Sequence, residues 1–435
     1  MYQFSGKLKS IALALMVIGA IGVAIGFFTN SSKKTEEHKT EVVQNAEKAS
    51  VSSEVEADHA TAAHDTNAEP HDASHAEHQM QNRPWAAFYT PLFFFFMISL
   101  GLFVFYATQV AASAGWSVVL YRVMQGLSGA IVPIGIILFI FLVLSAMGMN
   151  HLFPWMHAEG DEIIEAKAFW LNIPGWLLRA VIFIGGFIAF RYFIIKKSVE
   201  QDHAHDYKAH EKGFKWTIFF IAFFMLSESA FSWDWIMSLD PHWFSTLFAW
   251  YIFASGIVSA VTVLALSVIY LKSKGYLENV NESHLHDVAK FMFGFSIFWT
   301  YLWFAQYMLI WYANMPEETV YFVPRTKGVY QFIYFFMLIL NFLFPLLVLM
   351  DRDWKRKNLI VIVVGLVVLA GHYLDFYLMI MPSAVGDHFG FGLSEIGSLL
   401  FFIGVFIYFG FNSLSKRPLL MKGNPYKEES LHHHY

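Results

Sequence analysis

The sequence predicts an all-α, polytopic membrane protein with ten transmembrane helices, and three observations predict it. Of its 435 residues 57% are hydrophobic and only 14% charged, where soluble globular chains carry about 25% charged residues. Ten apolar runs approach or exceed the roughly 20 residues that a helix needs to cross the hydrocarbon core. The runs are solidly apolar and do not alternate, so helices, and not barrel strands, must satisfy their backbone in lipid.

The runs cover 9–28, 88–110, 130–149, 172–195, 216–238, 246–271, 289–312, 329–350, 359–380 and 395–413. The first follows Lys7 and Lys9, which raises the question of a cleaved signal peptide. Its full span, and the poor cleavage site at Phe27-Phe28-Thr29-Asn30, favour an uncleaved anchor over residues 1–28. Residues 29–84 are rich in Ala, Glu, Ser, Thr and His and nearly lack large apolar side chains. Such a segment cannot bury enough surface to fold alone and is expected to be a disordered periplasmic linker. Its six histidines, His38, His59, His64, His71, His75 and His78, read better as part of a solvated tether than as a metal site, since no closed ligand set is present. A nine-helix membrane domain over 85–413 and a cytoplasmic tail over 414–435 complete the chain.

Orientation follows the basic residues, which are retained on the cytoplasmic side. With both termini inside, 20 of the 29 Lys and Arg residues are cytoplasmic. Only Lys167, Arg179, Arg325 and Lys327 then fall in short outer segments. The chain contains no Cys, which excludes thioether haem attachment, cysteine-ligated iron–sulfur clusters, thiolate nucleophiles and disulfides. The net charge of −5 and scattered basic residues speak against nucleic acid. The glycine-rich stretch Gly386–Gly392 lacks the Lys-Ser/Thr of a phosphate loop.

Laying the third to sixth runs over the seventh to tenth suggests a parallel repeat of two four-helix bundles, over 130–271 and 289–413, with the first two helices peripheral. The third helix of each set carries an acid before an aromatic, Asp234-Trp235 and Asp375-Phe376.

Acids inside a membrane are costly, by about 2.5–3.5 kcal/mol on insertion scales, and so mark function or tight pairing. Glu228 lies about 18 Å into the fifth run by the helical rise, near mid-depth, between Ser227 and Ser229, and Asp234 lies about 9 Å further out. Asp240 and His242 follow at the outer mouth, completing a polar ladder. The competing reading is helix-to-helix hydrogen-bond glue. In the ninth run His372 and Asp375 share a face, with Tyr373 and Tyr377 beside them. That pair reads equally as a proton relay or as a satisfied buried couple. Glu317 and Glu318 at the outer end of the seventh run collect protons, pair with Arg325, or are solvated.

Two stretches, Ser232–Trp243 (SWDWIMSLDPHW) and Gln306–Thr319 (QYMLIWYANMPEET), with ten spans and a long polar segment after the first, resemble the ActF-type subunits of bacterial alternative complex III, a quinol:cytochrome c oxidoreductase. The resemblance covers nearly the whole chain from residue 85 and extends to NrfD-like membrane proteins built from two four-helix bundles. It implies a cofactor-free, structural subunit in the bacterial inner membrane, lending packing and a proton half-channel to quinol oxidation. A paralogous membrane subunit would bind menaquinol or ubiquinol, partner subunits would carry haem c (a multihaem cytochrome c) and iron–sulfur clusters, and a terminal oxidase and membrane lipid are further expected partners. The resemblance assigns protonic work to Glu228, Asp234, Asp240, His242, Glu317, Glu318, His372 and Asp375. Two alternatives remain from the residues themselves: a chain that binds quinol at its outer mouth, and a secondary transporter.

Overall fold

The structure, a computed structural model, describes residues 1–51, 70–158 and 160–434, and side chains outside residues 30–78. Among the described residues, ten helices are long and apolar enough to cross a membrane: α1 Gly6–Thr29, α2 Gln79–Ala111, α3 Gly115–Ala146, α4 Ile173–Gln201, α5 Lys208–Leu239, α6 Leu247–Ser273, α7 Glu282–Ala313, α8 Gly328–Leu349, α9 Asn358–Val385 and α10 Leu393–Leu414. The protein is therefore an all-α, multi-pass membrane protein. The backbone of the first helix continues to Val51 and that of the second starts at Pro70. What was expected of the remainder of the 29–84 linker, and of its histidine side chains, lies outside the described residues.

Local chemistry sets the helix ends. Asn172 caps α4, its Oδ1 accepting from the Gly175 amide at 2.8 Å, and Pro174 occupies the first turn, where its missing N–H costs nothing. Asn281 caps α7 through the amides of Ser283 and His284. At the other end of α7, Asn314 takes a left-handed conformation (φ 47°) and Pro316 follows. The third span starts 15 residues before the predicted run. Hydropathy stops at Arg122 and Gln125, but both are buried: Arg122 pairs with Asp202 and donates to Gln125 Oε1 at 2.7 Å, while Gln125 donates to Ser198 at 3.0 Å.

Two four-helix bundles with two peripheral helices are present, in a register one helix earlier than expected. The helices α2–α5 form one ring and α6–α9 the other, while α10 packs chiefly on α1, α2 and α3. The second helix is central, with 94% of its apolar window buried against 17% for α1. Its run of Phe93–Phe96 and Leu100–Phe105 fills the space between the bundles. It also approaches α6 closely: a Cβ on Gly101 would lie 2.8 Å from that of Ala260. The peripheral pair is α1 and α10, which meet through small residues; a Cβ on Gly397 would lie 2.9 Å from the α1 backbone at Gly22. Apolar periodicity cannot rank spans by centrality when every face is apolar, which is why the sequence placed α2 outside. The pairing of α5 with α9 survives the shift, since both are now the fourth helix of their ring.

The face holding the chain ends, here the terminal face, collects the tail. Ser430 donates to the Trp116 carbonyl at 2.7 Å, His433 meets Asp287 at 2.6 Å, and Asp202 accepts from the Lys422 amide at 2.9 Å. The 150–172, 240–246, 314–327 and 386–392 loops lie on the opposite face.

Candidate functional site

The acids of the two fourth helices have different surroundings. In α5 the Asp234 carboxylate is fully buried and receives Arg179 of α4 twice, through Nε at 2.6 Å and Nη2 at 2.9 Å, and Trp170 Nε1 at 2.8 Å. Arg179 also stacks over the Trp170 ring, 4.3 Å from its centre. The Asp234 carbonyl accepts from Trp176 Nε1 at 2.9 Å and Ser238 Oγ at 2.5 Å. A bidentate guanidinium and an indole occupy the carboxylate, which suits fixed pairing better than proton exchange. One turn and a half inward, Glu228 is also buried, and Ser232 donates to its Oε1 at 3.1 Å. Ser227 turns instead to the Phe224 carbonyl at 3.2 Å, and Ser229 is half-buried. Among the described residues no hydrogen bond joins Glu228 to Asp234.

In α9 the Asp375 carboxylate is equally buried but faces neutral donors: the Tyr251 hydroxyl of α6 on Oδ1 and Trp299 Nε1 of α7 at 2.8 Å on Oδ2. Among the described residues its one ion-pair neighbour is His372, whose Nδ1 lies 3.8 Å from Oδ2 and shares a hydrogen bond of 2.9 Å with Ser255 Oγ. His372 stands roughly 20 Å from either end of α9 by the helical rise, at mid-depth. The two groups face each other at 3.8 Å, and among the described residues no Lys or Arg pairs with either.

Several buried polar atoms around this pair have no partner among the described residues: His372 Nε2, Trp303 Nε1, the Tyr334 hydroxyl and both side-chain polar atoms of Asn341. Asn341 sits in a π-helical turn of α8, Ile339–Leu343, a distortion that recurs at functional positions. Gly371 allows it to press on α9, where a Cβ would come within 2.9 Å of Asn341 Cγ. A cavity lined by Tyr251, Trp303, Gln306, Tyr321, Arg325 and Tyr334 opens between this cluster and the opposite face. Its volume, about 10 Å³, is close to what one water needs. Buried Arg325 covers it, donating to the carbonyls of Leu378 and Tyr321 at 2.8 and 2.5 Å and standing 3.5 Å over the Tyr321 ring. Burial pushes the Tyr321 hydroxyl up to about 12, so it stays protonated and can donate at neutral pH.

The remaining predicted residues lie elsewhere. Tyr373 packs on Phe94 at 5.7 Å, and Tyr377 donates to the Gly390 carbonyl at 3.2 Å and stacks on Phe391. Each lies two residues from Asp375, about 200° round the helix, so neither extends the His372–Asp375 pair. His242 meets Asp161 at 2.6 Å on the exposed opposite face, and that hydrogen bond holds the Asp161 carboxyl below its usual range. Asp240 is half-buried near Lys167, whose ammonium donates to the Pro241 carbonyl at 2.5 Å and is pulled down by burial. Glu317 is exposed; Glu318 contributes its carbonyl, accepting from Trp243 Nε1 at 3.1 Å. Neither acid pairs with Arg325. The Ser232–Trp243 motif thus spans two things: the Asp234 pair, and a loop that ties the 150–172 and 314–327 segments across the opposite face.

Tyr251, Trp299, Ser255, Asn341 and Arg179 were not among the predicted site residues. Arg179 was legible only as an outer basic residue, its closeness to Asp234 coming from the packing of α4 on α5; the aromatics lie within apolar runs, where Tyr and Trp carry little signal. No family model and no curated protein matches this chain.

Proposed function

We propose that this chain is a non-catalytic membrane subunit of a quinol:cytochrome c oxidoreductase of the alternative complex III type, and that its α6–α9 bundle forms a proton half-path from the opposite face to mid-membrane. The observation that carries the protonic part is the Tyr251–Asp375–His372 cluster with a water-sized cavity and unpartnered polar atoms beside it. The membership rests on the resemblance of the two motif stretches. The excess of basic residues on the terminal face supports a cytoplasmic placement of both ends in a bacterial inner membrane. Glu228 is a second protonatable group, whereas Asp234 serves the first bundle as an ion pair.

The volume of this cavity weighs against quinol beside the Asp375–His372 pair, because ligand pockets run about 300–1,000 Å³. The resemblance assigns quinol oxidation to a paralogous subunit, and electrons to haem c and iron–sulfur partners. Purification from native membranes in mild detergent tests the membership: co-elution with multihaem cytochrome, seen in the visible spectrum, is expected. A chain that elutes alone and transports a solute in vesicles would overturn it in favour of a secondary transporter.

A further inference from the structure

One short segment closes the outer end of the cavity beside Asp375. Residues 320–327 contribute Tyr321, Phe322 and Arg325 to its lining, and all three are buried. Val320 and Val323 of the same segment are exposed, so a single layer of chain separates the cavity from the opposite face. The backbone of that layer bonds to itself: the Phe322 amide donates to the Thr319 carbonyl at 2.9 Å, the Thr326 amide to Phe322 at 2.8 Å and the Lys327 amide to Val323 at 3.0 Å.

Arg325 is the polar anchor of the segment. Pro382 lies inside α9 and has no amide hydrogen, so the Leu378 carbonyl four residues earlier lacks its partner in the helix ladder. Arg325 Nε takes that carbonyl at 2.8 Å, while Nη2 reaches the Met379 carbonyl at 3.3 Å and Ser383 Oγ at 3.1 Å. These acceptors, like the Tyr321 carbonyl, are neutral. They satisfy the guanidinium hydrogens and leave its charge unmet, and a buried charge without a countercharge is costly.

Asp375 stands three residues before Leu378, one turn inward on the same helix face. A turn of rise and a hydrogen-bond length put the two charges roughly 8 Å apart. The Tyr321 and Tyr334 hydroxyls lie within electrostatic reach of both. The other charges near these tyrosines and Tyr330, namely Asp240, Asp387 and Arg83, are half-buried or exposed, where water and salt screen them. Asp375 is fully buried, with His372 beyond it, and so supplies the countercharge.

We propose that residues 320–327 form a proton-sensing lid: the charge of Asp375 holds Arg325 in place and the lid shut, and neutralising Asp375 releases both. The proposal rests on the proton half-path and supplies its gate. A proton that reaches Asp375 opens the cavity to the opposite face, and its departure closes it. A unit charge roughly 8 Å away, at an effective dielectric constant of about 20, biases the lid by about 30-fold.

Hydrogen–deuterium exchange of the full chain in detergent, read by mass spectrometry on peptides covering 320–327, tests the lid without turnover. Asp375→Asn keeps the shape of the side chain and removes its charge. Lid amides should then exchange about 30-fold faster, with those of α2–α5 unchanged. Tyr251→Phe takes a donor from the same carboxylate but leaves the charge, and lid exchange should stay as in the wild type. Unchanged lid exchange in Asp375→Asn, acceleration that spreads to α2–α5, or equal acceleration in Tyr251→Phe would overturn the gate. Since the chain is at rest, those results leave the half-path standing. The half-path fails separately, if the proton content of Asp375 does not change during turnover.

Discussion

Arg179 and Asp234 are predicted to hold the first bundle together, and a double-mutant cycle measures how much. Removing one partner of a buried ion pair costs about 3–5 kcal/mol, because the other charge is left desolvated. The two partners are not equivalent: the Asp234 side chain is 0% exposed and that of Arg179 is 17% exposed. In Asp234→Ala the stranded guanidinium still donates to the Trp170 carbonyl at 2.9 Å and stacks on the Trp170 ring, so the cost should sit near 3 kcal/mol. In Arg179→Ala the stranded carboxylate keeps only the Trp170 indole among its side-chain donors, so the cost should sit nearer 5 kcal/mol. The double variant strands neither group and should fall short of the sum by about 2–3 kcal/mol. Unfolding of the purified chain in mixed detergent and SDS micelles gives all three values. Single variants that each cost under about 1 kcal/mol, or a double variant whose cost is the plain sum, would refute the reasoning and reopen a protonic role for Asp234.

Three further outcomes are expected. Tyr251→Phe removes a donor to the Asp375 carboxylate and should cost about 1–3 kcal/mol in the same unfolding assay, while leaving the α2–α5 bundle unchanged by hydrogen exchange. Gly397→Leu should displace α1 from α10, since even a Cβ would stand 2.9 Å from Gly22; overpacking of this kind costs about 1–3 kcal/mol, and loss of a disulfide crosslink between introduced cysteines in the two helices would report it. Asp161 should titrate below the ordinary carboxyl value of about 3.9, and His242→Ala should raise its midpoint, read by carbon-detected NMR. Because the folded value is depressed, the stabilisation from this exposed contact is present above the unfolded pKa and disappears as the pH falls through the folded one.

The ten spans were legible because lipid imposes a composition that survives without any knowledge of contacts. The bundle register was not. Phe93–Phe96 in α2 and the apolar residues of α1 look alike in sequence, yet the first group lies between the two rings and Ile18 and Ile21 face outward. Arg122 illustrates the same difficulty from the other side: a cation ends a hydropathy window even when Asp202 allows it to be buried. At the candidate site, the buried acids were identified by their cost in lipid. Their different fates depend on what faces them from other helices, Arg179 in one ring and Tyr251 with Trp299 in the other, which spacing along one helix does not encode. The His372–Asp375 spacing did place both on one face, although the separation of 3.8 Å is longer than a hydrogen bond.

The central claim is that the Asp375–His372 pair changes its proton content during turnover while Asp234 does not. Difference infrared spectroscopy of the proposed quinol-oxidising complex, intact in vesicles, measures this directly, by comparing the reduced and oxidised states in the carboxyl stretching region. A carboxyl band that disappears in Asp375→Asn and persists in Asp234→Asn is the predicted result. A spectrum unaffected by Asp375→Asn, or one that loses its band in Asp234→Asn alone, would contradict the account.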